Sequence, residues 1–194
     1  MKKIIITAGL FALLSPGAFA QITKPSIIKK QVQPAPPPAP VYTLTAVKAN
    51  IRTGNDNKEF PSTVRVSLVS RNRNIKAYFV QENLRNEMRS NSNTEFGMEK
   101  AGTGDIPLTD LQVNGLLFTI AYSANFQFDA WKIEGVSITL EFRDQQGNLH
   151  PTLGQKTITF GNANGFLNGY FERRMECTAD GYFNPLSAAV ITTK

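Results

Sequence analysis

Val136, Ile138, Leu140 and Phe142 place an apolar side chain at every second position, with Ser137, Thr139 and Glu141 between them. A period of two suits a pleated strand with one face buried and one face wet, and does not fit a helix, whose repeat is about 3.6 residues. The alternation returns within Tyr42 to Arg52, where Val47, Ala49 and Ile51 share a face. It returns again within Ser62 to Val69, where Val64, Val66 and Leu68 oppose Thr63, Arg65 and Ser67. Shorter runs at Ile75 to Val80, Gly115 to Ser123, Thr157 to Phe160 and Ala188 to Thr193 bring the predicted set to seven or eight strands. Asp144-Gln145-Gln146-Gly147-Asn148 carries the turn chemistry of a hairpin connection. No amphipathic helix of crossover length separates these runs. The expected fold is therefore all-β, a two-sheet antiparallel β-sandwich of seven or eight strands.

Two stretches break the rhythm. Glu82 to Glu99 predicts one short helix or an ordered loop. Gly161 to Phe183, with glycines at 161, 165, 169 and 181 among Phe166, Tyr170, Phe171, Tyr182 and Phe183, predicts a long connection anchored to the sheets by its aromatic rings.

Ahead of the β texture lie two segments of different character. Lys2 and Lys3 precede an apolar run from Ile4 to Leu14, a Ser15-Pro16-Gly17 break and the small-residue ending Ala18-Phe19-Ala20. This is the pattern of a cleavable secretory signal over residues 1–20, and the run is shorter than the roughly 20 apolar residues that a membrane-spanning helix needs. No cysteine stands at the cleavage site to accept a lipid. Residues 21–40 end in Gln33-Pro34-Ala35-Pro36-Pro37-Pro38-Ala39-Pro40, an extended proline-rich linker. The expected organisation is a signal, a spacer and a β domain over residues 41–194, exported to the periplasm, the outer surface or the medium, with no transmembrane helix.

The formal net charge of +6 suggests a polyanion partner until it is divided by region. All five basic residues before residue 41 belong to the signal and linker, so residues 41–194 carry sixteen basic against fifteen acidic side chains, a net of +1. Nucleic acid is not an expected partner for so neutral a domain on an exported chain. Cys177 is the single cysteine, which leaves no intramolecular disulfide and predicts a buried thiol in a core that holds itself together.

Catalytic chemistry finds little to use. His150 is the only histidine, and Cys-His catalysis would require the fold to bring it to Cys177. There is no Gly-x-Ser-x-Gly elbow and no zinc ligand set. Asp129, Glu134, Glu141 and Asp144 lie near one another in sequence, but Glu141 alternates against Leu140 and Phe142 and so belongs to a wet face. The expected protein is not an enzyme. Asn55, Asp56, Asn57 and Glu59 offer four oxygen-bearing side chains in one loop, which makes them the candidate calcium ligands, although the same residues also serve an ordinary turn. Phe60, Phe126 and Phe128 are the candidate ligand-binding residues if their loops share one end of the fold; the alternative is that they cover the open end of the core. Trp131 reads as a core residue.

Two segments together resemble the PLAT (lipoxygenase-homology) domain. The first runs Ala49-Asn50-Ile51-Arg52-Thr53-Gly54-Asn55-Asp56-Asn57 and then Pro61-Ser62-Thr63-Val64-Arg65-Val66-Ser67-Leu68. The second is Trp131-Lys132-Ile133-Glu134-Gly135-Val136-Ser137-Ile138. They cover about a sixth of the domain. The resemblance implies a module without catalysis of its own that binds lipid, a membrane surface or a partner protein, in some members with calcium. The functional expectation is thus a non-catalytic binding module recognising lipid, glycan or a protein partner through loops at one end. The alternative is a structural envelope or surface component that assembles through its sheet edges.

Overall fold

The structure, a computed structural model, describes residues 37–126, 128–169, 171–186 and 188–193. The expected signal and the first sixteen residues of the expected linker lie outside the described residues. Residues 38–194 form a unit of their own. Its strands are β1 (Thr43–Thr53), β2 (Thr63–Ser70), β3 (Tyr78–Leu84), β4 (Asn93–Ala101), β5 (Leu116–Ser123), β6 (Ala130–Arg143), β7 (Gln155–Phe160), β8 (Gly165–Asn168), β9 (Arg173–Ala179) and β10 (Val190–Thr193). One helix, α1 (Leu108–Asn114), precedes β5.

The fold is all-β, as the alternation requires, and every pairing is antiparallel. Strand order runs β10-β9-β5-β2-β3-β4-β1-β6-β7, with β8 also on β6, and the whole curls as a half-barrel. β4 is the joint. Asn93 to Met98 pair with β1, whereas Glu99 to Ala101 pair with β3. The inner face of the curl holds one continuous apolar core, with Ile51, Leu68, Phe118, Ile120, Trp131, Ile138 and Phe142 each 0% exposed. Among the described residues no helix is long and apolar enough to cross a membrane.

The described residues hold ten strands, more than the seven or eight expected, because β4, β8 and β9 fall in the two stretches where the alternation breaks. β6 shows a second way in which a period-two pattern is interrupted. Trp131 and Ile133 face inward on odd positions, while Val136, Ile138, Leu140 and Phe142 face inward on even ones. A register shift permits this change: Arg52 pairs with Gly135, but its neighbour Thr53 pairs with Ile133. A bulge inserts one residue and resets which face each side chain takes. One strand of 14 residues therefore reads as two unrelated fragments to a period-two search.

Both irregular stretches differ from expectation. Glu82 to Glu99 holds no helix; it ends β3, turns, and starts β4. The helix instead falls at Leu108–Asn114, where Leu108 and Leu111 plug the core. It stops at Gly115, whose N–H donates to the Leu111 carbonyl and whose φ is +72°. Gly161 to Phe183 contains β8 and β9 rather than one connection, and of its described rings only Phe183 is buried, against Phe142.

Candidate functional site

At one end of the half-barrel the chain leaves β1, β3, β5 and β8 and enters β2, β4, β6 and β9, so four loops meet there. Phe60 lies in the β1–β2 loop, and Phe126 and Phe128 in the β5–β6 loop. Ser62 joins these two loops: its hydroxyl donates to the Asp129 carboxylate and accepts the Asn125 N–H at 3.0 Å. The Tyr122 hydroxyl donates to the same Asp129 oxygen at 2.6 Å, and Trp131 Nε1 donates to Thr53 Oγ1 at 3.2 Å beneath it. Ser62, Tyr122, Asp129, Thr53 and Trp131 are all buried, so each bond is made away from water, where a lost partner is expensive. Burial, and then the hydrogen bond to Asp129, push the Tyr122 hydroxyl well above the ordinary phenol range.

The rings carried by these anchored loops do not close over the core. Phe60 is 68%, Phe126 52% and Phe128 80% exposed. A fourth ring, Phe171, is 68% exposed in the β8–β9 loop, beside the same end because Asn168 pairs with Ala130. Sequence reasoning assigned Phe171 to anchoring. Its membership depends on the pairing of β8 with β6, which no local pattern announces.

Sequence reasoning also passed over Lys58. Its side chain is fully buried in the centre of the Asn55 to Glu59 loop, and its ammonium donates to the carbonyls of Glu59 at 3.1 Å, Arg85 at 2.9 Å and Asn86 at 2.9 Å. Its backbone exchanges two hydrogen bonds with Met88, which ties the β1–β2 loop to the β3–β4 loop. Burial lowers its pKa from 10.5 to about 8, against the upward pull of the Asp129 and Glu87 carboxylates. Around this lysine, Asn55 and Glu59 are exposed while Asp56 and Asn57 are half-buried. Asn57 donates to Glu87 at 3.2 Å. Among the described residues no three acidic, histidine or cysteine side chains gather as a metal site. The carbonyl oxygens that converge at the centre of the loop face an ammonium.

The remaining chemical groups are dispersed. His150 sits in the β6–β7 loop at the far end, where Nδ1 accepts the N–H groups of Thr152 and Leu153 and the ring meets Tyr42 edge-on. Cys177 is buried in the core on β9, and burial raises its thiol to about 12. Asp129 is committed to Ser62 and Tyr122 at one end of β6. Asp144 caps the hairpin turn at the other, accepting from the N–H groups of Gln146 and Asn148. The four carboxylates do not converge.

Compared with known proteins, the chain matches no family model, no curated protein and no solved structure.

Proposed function

We propose that this chain is an exported, non-catalytic binding module of PLAT-like sandwich design that meets a lipid surface with its phenylalanine end. In this reading β1, β4, β6, β7 and β8 form one sheet and β2, β3, β5, β9 and β10 form the other, with β4 bridging them. The observation that carries the proposal is the exposure of Phe60, Phe126 and Phe128 on two loops locked together by the Ser62–Asp129 bond. Exposed apolar rings cost solubility unless something covers them, and rings on a rigid rim enter an apolar phase with little ordering cost. If each ring gains about 1 kcal/mol on partial insertion, the three together are worth a factor of about a hundred in affinity.

The test is sedimentation of the purified protein with phosphatidylcholine vesicles and with vesicles containing phosphatidylglycerol, each with and without calcium. Binding that drops at least about tenfold in the Phe60→Ser, Phe126→Ser double variant is expected. An absence of sedimentation with either vesicle in either condition removes the lipid reading. A difference between the calcium arms would assign the Asn55 to Glu59 loop to the cation.

A second reading has its own observation. β10 is an edge strand with all four residues exposed, no charge and no proline. Such an edge is a template for pairing with another chain, so assembly through sheet edges is the alternative function. Light scattering on a sizing column distinguishes it: a concentration-dependent oligomer abolished by Val190→Lys would support assembly.

A further inference from the structure

The outer face of β4, β1, β6 and β7 is polar, and it carries two hollows on the same two central strands. Register places Asn93, Arg52 and Gly135 in one row across the sheet, and Asn50, Ser137 and Thr159 in the next. These residues line a hollow of about 270 Å³. Further along, Lys48 with Thr139 and Ala46 with Glu141 and Gln155 line a second of about 220 Å³. The hollows are centred about four residues apart on β1, which is about 13 Å of strand. The distance suits a few linked sugar rings.

The room comes from small side chains. Gly135, opposite Arg52, lines the first hollow and Ala46 the second; Gly97, opposite Lys48 on this face, lines neither. A β-carbon at Gly97 would meet nothing within 4 Å. One at Gly135 would meet only Arg52, at 3.8 Å or more. Packing does not demand glycine at either position. Glycine in a strand interior marks a bulge or the close approach of another molecule, and Gly135 lies beside the bulge at Arg52 and Thr53 while also lining the first hollow.

The lining chemistry selects the occupant. Every charge has an opposite neighbour: Lys48 and Glu95 at 3.8 Å, Arg52 and Glu134 at 3.7 Å, Arg143 and Glu141 at 2.7 Å. An ion therefore finds little net field. β1 and β6 are paired on both sides, so a peptide lying along them has no edge to join and the sheet's free edge is on β7, while Val136 and Phe160 turn their side chains into the core. What remains is a row of hydroxyls, amides and paired charges offering both donors and acceptors, which matches a neutral polyol. We propose that this face binds an unbranched neutral glycan chain along β1 and β6, with Gly135 giving one ring its seat and Asn50, Arg52 and Ser137 bonding its hydroxyls.

This site is separate from the phenylalanine end, and its test is too. The purified protein is run in native gels containing a neutral glucan, mannan or xylan, and in parallel gels containing alginate. Retardation by at least one neutral polysaccharide is expected, with a dissociation constant at least about tenfold larger in Gly135→Val and in Arg52→Ala, and unchanged in the Phe60→Ser, Phe126→Ser variant. Thermal melting identifies a Gly135→Val protein that fails to fold, in which case Arg52→Ala decides. Three results overturn the proposal: no retardation by any neutral polysaccharide, retardation by alginate alone, or neutral binding untouched by the folded variants.

Discussion

Replacing Lys58 with methionine keeps the length of the side chain and removes the ammonium. Three carbonyls, of Glu59, Arg85 and Asn86, then lose their donor in a part-buried setting. At about 2 kcal/mol for each acceptor left unmade, the loss is about 6 kcal/mol. Removing a buried charge gives something back. An ammonium whose pKa falls from 10.5 to about 8 is held at a cost of about 3 kcal/mol. The balance is a destabilisation of about 3 kcal/mol, or about 6–12 °C in melting temperature for a domain of this size. Reversible thermal unfolding at pH 7, followed by circular dichroism, measures it. A Lys58→Met protein that melts at or above the wild-type temperature would refute the view that this lysine ties the β1–β2 and β3–β4 loops together.

The same lysine shapes the pH dependence. Its folded pKa lies below its unfolded value, so the cost of burying the charge is felt in full below pH 8 and is relieved as pH rises from about 8 toward 10.5. Cys177, raised from 9.0 to about 12, acts in the opposite sense, losing stability as pH rises above 9. Tyr122 adds to that loss above 10. Denaturant midpoints measured across pH 7 to 11 are expected to peak near pH 9, and in Lys58→Met the rise between 8 and 9 disappears. Gly115→Ala would put a β-carbon 2.2 Å from the Ala179 carbonyl at a φ of +72°, and is expected to lower stability by more than about 2 kcal/mol in urea unfolding. Labelling of Cys177 by a thiol reagent at pH 8 is expected to be no faster than global unfolding, because the thiol is buried and un-ionised; rapid stoichiometric labelling of the native protein would contradict its placement.

What could be read beforehand was whatever repeats over short distances. Val136 to Phe142 announces a strand because each inward residue is two positions from the next. The same rule failed on Trp131 and Ile133, which belong to that strand but lie across the bulge. β4 was missed because its Phe96 and Met98 are its main apolar inward residues among glutamates, a lysine and a glycine, as suits a strand that changes partners midway. α1 was missed because seven residues with two buried leucines give helical periodicity almost nothing to repeat. At the candidate site, Phe60, Phe126 and Phe128 were legible as suspects. The bond that places their loops together joins Ser62 to Asp129, 67 residues apart, and only the folded sheet brings them within reach. Lys58 was illegible for a related reason: a lysine between Asn57 and Glu59 reads as solvated, and its burial is imposed by carbonyls 27 and 28 residues downstream.

Among the described residues β4 is the sole main-chain bridge in the path from β3 to β1, six residues facing one neighbour and three the other. The narrower seam, at Tyr78 to Val80, is where the two halves of the curl would first part under strain. Amide protons there should trade with deuterium sooner than those linking β2 to β5. A molecule gripping both flanks at once would then be felt as a slowing of exchange at a place it never touches.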